Sequence, residues 1–455
     1  MNLKITRYLT SVDILEGGRK NKLLFSARTG TLMVMDFHSW QALETGHFEL
    51  LPQEVLEDLK RKKLLVSKDE NEVQTVLDEN KKFLEERDDS LYTVIQPTAA
   101  CPLGCHYCGQ AHSNNHLSEE NQKNTLQYIA KKLSAKKYKF LNVSWFGGEP
   151  LSGMSVINNL SPKIQALAKE SGLLYSASIV TNGLLLSQEN ARKLIHEHQV
   201  KSIEITLDGT AEYHDQRRHL KTGGATFLKI YKNLQELAKI KLDDVFISIR
   251  CNIDARNKDG VVPLLKQLAN DNLEKKIDIY FAQIHSWGND AHRLAADKTE
   301  FARWQIEWFL EMKELGFNSH GIPSRKKKFC IAVTPNHDLV DPYGNIFKCT
   351  EVSLVPTYEQ NSENIYKVGH VKNKRIDQPE RNSVLENFFE TDVIKNYACY
   401  ECSILPVCGG TCPKLWHEGI PPCPPMKYNM KERLLIHYAQ SLKEVKYVDT
   451  IEEIK

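Results

Sequence analysis

The chain has 455 residues, of which 41% are hydrophobic and 26% charged, and its 60 basic and 58 acidic residues give a net charge of +2. This composition is typical of a globular protein with two or three domains, and the balance of charge argues against a dedicated nucleic-acid-binding surface. The N-terminus lacks the apolar run of a secretory signal and no stretch is apolar enough to span a membrane, so we expect a cytoplasmic protein. In a reducing compartment, the 11 cysteines favour metal binding over disulfides.

Residues 1–90 form a predicted N-terminal domain with its linker. Apolar runs at 23–26 and 31–35 flank Arg28-Thr29-Gly30 and predict a hairpin, helical patterns follow at 38–43 and 52–62, and 63–66 is a predicted strand. Strands around small helices indicate a winged-helix-like module, for which peptide recognition and simple capping of the next domain are both open. Residues 72–89 have apolar side chains at helical spacing and predict a linker helix.

From residue 91 to about residue 320, strand patterns alternate with helical patterns. The predicted strands lie at 92–96, 140–146, 176–181, 202–208, 245–254 and 277–285, and the predicted helices at 119–136, 155–171, 187–198, 226–239 and 259–270. Six such units predict an α/β fold in which a parallel sheet curls into a partial (β/α)6 TIM-like barrel. Ligands of such folds bind at the carboxyl ends of the strands.

The fourth and fifth predicted strands alternate apolar and polar side chains. Ile205 lies between Glu204 and Thr206, and Cys251 follows Arg250. Because helices cover the outside of such a sheet, the apolar set is expected to face them and the polar set to face the lumen. Polar side chains are costly to bury unless they bind something, so we predict a ligand cavity in the lumen and a core position for Cys251.

Cys101, Cys105 and Cys108 directly follow the first predicted strand of the barrel, at the spacing CxxxCxxC. A [4Fe–4S] cluster is usually held by four cysteines, so a loop with three leaves one iron open for chemistry. Three buried thiols or a zinc site are the alternatives, although zinc loops normally combine two pairs of ligands.

Gly147-Gly148-Glu149-Pro150 ends the second predicted strand at the same edge of the sheet. Together with CxxxCxxC and an aromatic residue, Tyr107, before the last cysteine, this tetrapeptide resembles the radical SAM superfamily over roughly residues 91–320. The resemblance implies a [4Fe–4S] cluster whose open iron is chelated by S-adenosylmethionine (SAM), which is cleaved to methionine and a 5′-deoxyadenosyl radical that abstracts hydrogen. It implies Cys101, Cys105 and Cys108 as catalytic cluster ligands, and Tyr107, Gly147, Gly148, Glu149, Ser178, Thr206 and Arg250 as SAM-binding residues.

Seven cysteines follow residue 329, and four of them are spaced Cys399-x2-Cys402-x5-Cys408-x3-Cys412. That spacing alone fits zinc as well as an iron–sulfur cluster. With the segments 341–349 and 408–413, residues 321–455 resemble the SPASM domain, a seven-cysteine extension of radical SAM enzymes that act on peptides and proteins. The resemblance implies an outer auxiliary [4Fe–4S] cluster on Cys399, Cys402, Cys408 and Cys423, and an inner one on Cys330, Cys349 and Cys412.

Two complete auxiliary clusters need eight thiolates, and the segment supplies seven. We therefore expect three [4Fe–4S] clusters, the inner auxiliary one having either an open iron or a ligand other than cysteine. An open iron could hold a substrate thiolate, which suits thioether formation. Relatives that mature sulfatases carry an Asp directly after the cysteine at the position of Cys349 as a base; here Thr350 follows, and Glu351 is the candidate base.

These patterns predict a radical SAM/SPASM oxidoreductase that forms a thioether or another side-chain cross-link in a ribosomally made precursor peptide. Peptide epimerisation, C–C cross-linking and formylglycine formation in sulfatases are the alternatives with the same radical chemistry, and a zinc-stapled peptide-binding adaptor is the non-enzyme alternative. The expected partners are the precursor peptide and an electron donor such as flavodoxin or ferredoxin, with no nucleic-acid or membrane partner. Arg217, Arg218 and the lysines at 326–328 could meet an acidic peptide or form a solvated face.

Overall fold

The structure is a computed structural model that describes residues 2–87, 89–240, 244–318, 321–327, 330–373, 382–385, 388 and 399–452. Lys328, one of the basic residues named above, lies outside these ranges. In the described ranges, no helix combines the length and the apolar character that crossing a membrane requires.

The N-terminal region contains five strands and three helices. The strands are β1 (Leu3–Ile5), β2 (Leu9–Glu16), β3 (Arg19–Ser26), β4 (Thr31–Asp36) and β5 (Leu65–Ser67), and the helices are α1 (Phe37–Glu44), α2 (Gln53–Arg61) and α3 (Glu72–Lys82). An antiparallel sheet has the order β2-β3-β4, and β1 pairs with β5. The predicted hairpin is confirmed, since β3 and β4 turn at Gly30, whose φ of +70° suits glycine. β2 was not predicted, because Thr10, Ser11 and Asp13 interrupt its apolar residues.

The N-terminal region packs against the C-terminal cysteine region. Arg325 connects the two, since its Nη2 donates to Asn80 at 2.7 Å and its Nη1 to the Pro406 carbonyl at 2.9 Å. One cluster of buried side chains contains Tyr8, Leu23, Phe25, Val73 and Val76 from the first region and Cys399, Leu405, Val407, Trp416 and Leu434 from the second. The N-terminal region therefore does not bury its apolar surface alone.

The main sheet has nine strands. Its first six in sequence are β6 (Ser90–Ile95), β7 (Phe140–Trp145), β8 (Leu174–Thr181), β9 (Val200–Thr206), β10 (Phe246–Ile253) and β11 (Asp278–Gln283), and all pair in parallel. The helices between and after them are α4 (Glu119–Ala135), α5 (Met154–Glu170), α6 (Gln188–Arg192), α7 (Ala211–His214), α8 (Phe227–Leu237), α9 (Val261–Asn270) and α10 (Lys298–Glu314). The predicted α/β fold with a parallel sheet is confirmed.

Local chemistry explains where these helices begin and end. The hydroxyl of Ser118 accepts from the Asn121 N–H at the start of α4, and Ser187 caps α6 in the same way, as its sequence position predicts. Gly172, with φ of +69°, follows the end of α5. The apolar faces of strands and helices meet in the largest core of the chain, in which Cys251 is fully buried, as its place in the alternation of β10 predicts.

The sheet continues beyond the six predicted strands into the C-terminal region. The remaining strands are β12 (His337–Val340), β13 (Asn345–Phe347), β14 (Glu359–Gln360), β15 (Glu363–Asn364) and β16 (Lys367–His370), and the helices are α11 (Leu405–Cys408), α12 (Pro413–His417) and α13 (Met426–Glu452). β12 pairs in parallel with the outer edge of β6, and β13 and β16 follow antiparallel. This connection places the segment after β13 beside the loop that follows β6, since the Ser353 hydroxyl donates to Gln96 at 3.0 Å and the Ala111 N–H to the Leu354 carbonyl at 2.7 Å.

Candidate active site

A cavity of about 170 Å³ opens at the carboxyl ends of the parallel strands. It is lined on one side by the CxxxCxxC loop and on the other by residues that end β9, β10 and β11. The predicted site residues that line it are Cys101, Cys105, Tyr107, Cys108, Gly147, Gly148, Thr206, Arg250 and Glu351. Residues separated by up to 250 positions in the sequence therefore share one cavity.

The three cysteines of the loop are partly exposed to this cavity. Burial raises the pKa of Cys101 to about 12 and that of Cys108 to about 11, and it also raises the pKa of Cys105. Such thiols are protonated at neutral pH unless a bound metal displaces their protons. The Asn182 amide nitrogen lies 3.8 Å from the sulfur of Cys101.

Three thiols beside an open cavity fit an iron–sulfur cluster that keeps one iron for a ligand from the cavity. A single metal ion needs a tighter arrangement. In the ranges that the structure describes, no group of three or more His, Cys, Asp or Glu side chains is set for a single ion.

The Gly147-Gly148 pair lines the cavity directly beside the loop. The two residues have φ of +80° and +44°, and a Cβ at Gly148 would come within 2.7 Å of the Ala100 carbonyl. Both positions therefore require glycine. Glu149 is not exposed to the cavity: it is fully buried, and its carboxylate accepts from the Thr181 hydroxyl and the Asn182 N–H, both at 2.7 Å. The resemblance implies that Glu149 contacts SAM. In the structure, its carboxylate instead holds the ends of β7 and β8 together.

Glu204 and Thr206 of β9 and Arg250 and Asn252 of β10 line the cavity, as their alternation predicts. Arg250 donates from Nε to Asn252 at 2.8 Å, and Glu204 accepts from Tyr280 at 2.8 Å. Ser178 does not line the cavity; its hydroxyl bonds to Ser144 at 3.0 Å, deeper in the sheet. Ser178 was a candidate from the family resemblance, but it lies three residues before the end of β8 and does not reach the cavity.

Arg217 and Arg218 are buried, with exposed fractions of 3% and 6%. Their predicted role as a surface for an acidic peptide is therefore wrong for Arg217, and Arg218 faces the cavity instead. Of the lysines grouped with them, Lys326 is exposed and Lys327 is half-buried. A run of charge in the sequence does not distinguish a surface patch from a buried network.

Glu351 connects the cavity with the inner cysteines. Its carboxylate is 2.9 Å from the His285 ring, and although burial alone would raise the pKa of Glu351, the hydrogen bond and charge of His285, with Arg250 and Lys414, lower it to about 2. Burial raises the pKa of each inner cysteine, and repulsion from the Glu351 carboxylate adds to this effect, so the carboxylate lies near all three: Cys330, Cys349 and Cys412.

The sequence analysis missed His285 and Lys414. His285 follows β11 at the cavity edge, and its place at the end of a predicted strand, where ligands of such folds bind, was the signal that could have identified it. Lys414 is only 1% exposed, and its ammonium group lies 3.0 Å from Glu418. Nothing in a helical sequence near a cysteine marks a lysine as buried.

The remaining four cysteines line a second, much smaller cavity of about 20 Å³: Cys399, Cys402, Cys408 and Cys423. Leu405 and Trp416 complete its wall, and the Lys427 ammonium group lies 3.6 Å from the sulfur of Cys423. The C-terminal cysteines thus separate in space into a group of three and a group of four. Four thiols around a small closed space fit a fully ligated cluster, with zinc as the alternative donor set.

The matching family model is the radical SAM superfamily, over residues 95–268. Residues 95–268 form a radical SAM domain. This match covers the cysteine loop, the paired glycines and the polar ends of β9 and β10. It favours an enzyme over the zinc-stapled adaptor as the account of this chain.

Curated proteins similar to this chain include two sulfatase-maturating enzymes and one maturation protein. The chain is 28% identical over 160 residues to the serine-type anaerobic sulfatase-maturating enzyme of Bacteroides thetaiotaomicron. This alignment covers 33% of this chain and 37% of that protein. It is 21% identical over 350 residues to the cysteine-type enzyme of Clostridium novyi, covering 71% and 88%. It is 27% identical over 176 residues to the sporulation killing factor maturation protein SkfB of Bacillus subtilis, covering 39% of each. The first and third alignments thus span well under half of those proteins.

Among solved structures, the fold is similar to that of anSMEcpe with bound AdoMet, with a TM-score of 0.56 and 16% identity, covering 78% of this chain and 98% of that one. A second structure of the same protein, with AdoMet and a Cp18Cys peptide, has a TM-score of 0.54 and 17% identity. At these identities the likeness establishes the fold.

Proposed function

We propose that this chain is a radical SAM/SPASM maturase that forms a thioether, or another side-chain cross-link, in a precursor peptide. The observation that carries the proposal is the position of Glu351, which lines the cavity of the first cysteine loop and follows Cys349 by two residues. Cys330 and Cys349 also pack in one cluster with Phe146 and Trp287, which line the same cavity. A substrate side chain in this cavity would reach both cysteine sites. The six parallel strands would curl around the cavity as a partial barrel.

The first cysteine loop would hold the [4Fe–4S] cluster through Cys101, Cys105 and Cys108. When bound, this cluster supplies the one-electron reductive cleavage of SAM. Gly147 and Gly148 allow SAM to approach the backbone, and the guanidinium of Arg250 provides a cation for its carboxylate. Phe146 and Trp287 line the same cavity and exclude water from reactive intermediates.

The inner cysteines would hold an auxiliary cluster with a position free for the thiolate of a substrate cysteine. Glu351 is ionised, so it accepts the hydrogen bond from His285 and orients the ring. This pair would receive the proton that the substrate thiol loses. The electron released when the C–S bond forms would pass to an auxiliary cluster, and the hydrogen atom of the carbon partner to the 5′-deoxyadenosyl radical.

The N-terminal region would recognise the peptide as a winged-helix-like module. Among the described residues, β4 pairs only with β3, so its other edge is available to an extended segment. Val34 and Phe37, at and after this strand, are more than one-third exposed. The name of the Bacillus relative, a maturation protein, and the peptide in the anSMEcpe structure support a peptide as the substrate class. The predicted boundaries at about residues 90 and 320 remain predictions.

Formylglycine formation is the second candidate, because two of the relatives are named sulfatase-maturating enzymes and Glu351 is a carboxylate in the cavity. The two products of a cysteine substrate differ in mass. A cross-linked peptide loses two hydrogens and keeps its sulfur, whereas conversion of cysteine to formylglycine removes the sulfur. Conversion of serine to formylglycine also removes two hydrogens, so the test peptides contain no serine.

The deciding experiment measures iron, sulfide and zinc per chain after anaerobic purification, followed by 5′-deoxyadenosine release with SAM and dithionite. About 12 irons, from three four-iron clusters, with nucleoside release supports the maturase. Synthetic cysteine-containing peptides are then screened by mass spectrometry for loss of two hydrogens. Zinc without iron, and no nucleoside, contradicts the proposal.

A further inference from the structure

The segment 217–221, here named the strap, lies along the first cysteine loop and holds it by its backbone. The Gly104 N–H donates to the His219 carbonyl at 2.9 Å, the His106 N–H to the Arg217 carbonyl at 3.2 Å, and the Lys221 N–H to the Pro102 carbonyl at 2.9 Å. Hydrogen bonds on both sides of Cys105 therefore fix the loop before any cluster binds.

The side chain of Arg218 extends from the strap to the cavity wall. It is 6% exposed, lines the cavity together with Cys105, and donates from Nη1 to the Tyr107 hydroxyl. Its buried Nε has no hydrogen-bond partner among the described residues. A buried guanidinium with an unused N–H is costly unless something in the cavity accepts from it or carries the opposite charge.

The charge of the neighbouring Arg217 is paired with carboxylates of the protein, although its buried Nε and Nη1 also lack hydrogen-bond partners among the described residues. Its Nη1 lies 2.7 Å from an Asp254 oxygen, its Nη2 donates to the Asn252 carbonyl at 3.2 Å, and it does not line the cavity. The two arginines thus have different surroundings, although they are adjacent in the chain and both buried.

The electrostatics agree with this difference. The guanidinium of Arg217 lies 2.7 Å from an Asp254 oxygen and 3.7 Å from an Asp208 oxygen, whereas Arg218 has no carboxylate within ion-pair distance among the described residues and lines the cavity with Cys105. Arginine stays protonated in proteins, so this positive charge is permanent.

We propose that Arg218 is a positioning residue of the radical SAM cluster, which fixes Tyr107 and places a permanent cation beside Cys105 so that the cluster is easier to reduce. The added electron makes the cluster more negative, and a nearby buried cation stabilises that state more than the oxidised one. The electron comes from an external one-electron donor. This inference rests on the proposed assignment of the cluster to Cys101, Cys105 and Cys108.

The test is a redox titration of the reconstituted full-length protein, followed by electron paramagnetic resonance with and without SAM. The signal that changes on adding SAM belongs to the cluster of the first loop. We expect Arg218→Gln to lower its midpoint potential by about 59 mV or more, which is a tenfold change in the one-electron equilibrium constant. Arg218→Lys keeps the charge and is expected to shift that constant less than threefold.

Arg217→Gln is the matched control, because it removes a buried arginine from the same strap away from the cavity. An equal shift in Arg217→Gln, or an unchanged potential in Arg218→Gln, overturns the proposal. If Arg218→Gln loses its four irons, retention of iron by Arg217→Gln supports action at the cluster, and loss in both overturns it. Absence of a SAM-responsive signal in the wild type instead contradicts the proposed function and does not involve Arg218.

Discussion

The first cysteine loop and the outer cysteine group use the same side chain in different surroundings. Cys101, Cys105 and Cys108 face a cavity of about 170 Å³ whose walls include charged and amide groups. The outer four face a space of about 20 Å³ closed by Leu405 and Trp416, and three of them pack with side chains of the N-terminal region.

The number of thiols and their surroundings together indicate whether a group of cysteines serves a reaction or stabilises the fold. Three thiols, a polar cavity and a loop held by the strap leave room for a substrate. Four thiols in an apolar setting leave none, and they sit where two regions of the chain share a core. We therefore expect the first site to control the reaction and the outer one to control the attachment of the N-terminal region.

The largest effect is expected from replacing Cys101, Cys105 and Cys108 together by Ala. The variant loses about four irons per chain. Its 5′-deoxyadenosine formation falls to the level of the protein-free reaction, because no site remains to bind and reduce SAM. Cys251→Ala, which removes a core thiol, is the control and keeps both iron and nucleoside formation. Retained nucleoside formation in the triple variant would contradict the assignment of this loop.

A smaller effect is expected from Gly109→Ala. A Cβ at Gly109 would lie 1.7 Å from the Trp287 carbonyl, so the loop must move away from the segment that carries His285. A shift of about 1 Å can cost on the order of a hundredfold in rate, measured here as nucleoside release. At Gly104 the nearest atom is a His219 ring carbon at 3.3 Å, so Gly104→Ala is the milder control. Equal rates in the two variants would argue against this contact.

Cys402→Ser tests the outer group through its effect on the N-terminal region. Without the bound metal, amide exchange in 8–27 and 73–77 should accelerate about tenfold, which corresponds to ~1.4 kcal/mol. Hydrogen–deuterium exchange with mass spectrometry measures it. Cys330→Ser alters the inner group, which does not belong to this apolar cluster, and should leave those segments protected. Equal acceleration of amide exchange in both variants would show that the substitutions destabilise the whole protein rather than the attachment of the N-terminal region.

The smallest difference is expected in the intrinsic acidity of the thiols. Burial raises the pKa of both Cys108 and Cys399 to about 11. In metal-free protein, alkylation of each should therefore rise about tenfold per pH unit from about pH 7 to about pH 10, since only the thiolate reacts. Peptide mapping after iodoacetamide treatment follows both. If the rate of alkylation at one of the two thiols reached a plateau below about pH 9, the pKa values of the thiols would differ. Acidity, rather than surroundings, would then distinguish the two regions.

Much of the fold follows from the sequence because periodicity is a local property. All six parallel strands and five of the six helices between them were predicted, whereas the four-residue helix α7 was not, and the core position of Cys251 follows from its phase in β10. The pairing of β12 with β6 was not predictable, since it joins positions separated by more than 240 residues and no local pattern records it.

The candidate site shows the same division. The cysteine spacings and paired glycines are fixed in the sequence, because a cluster loop and a close ligand approach need those residue types at those separations. The tertiary structure decided which polar residues reach the cavity. In the tertiary structure, Ser178 and Glu149 do not line the cavity, and His285 lies against Glu351. Arg217 and Arg218, which form a charged run in the sequence, belong to a buried network. Burial and contact depend on residues distant in the chain, and charge or polarity alone does not encode them.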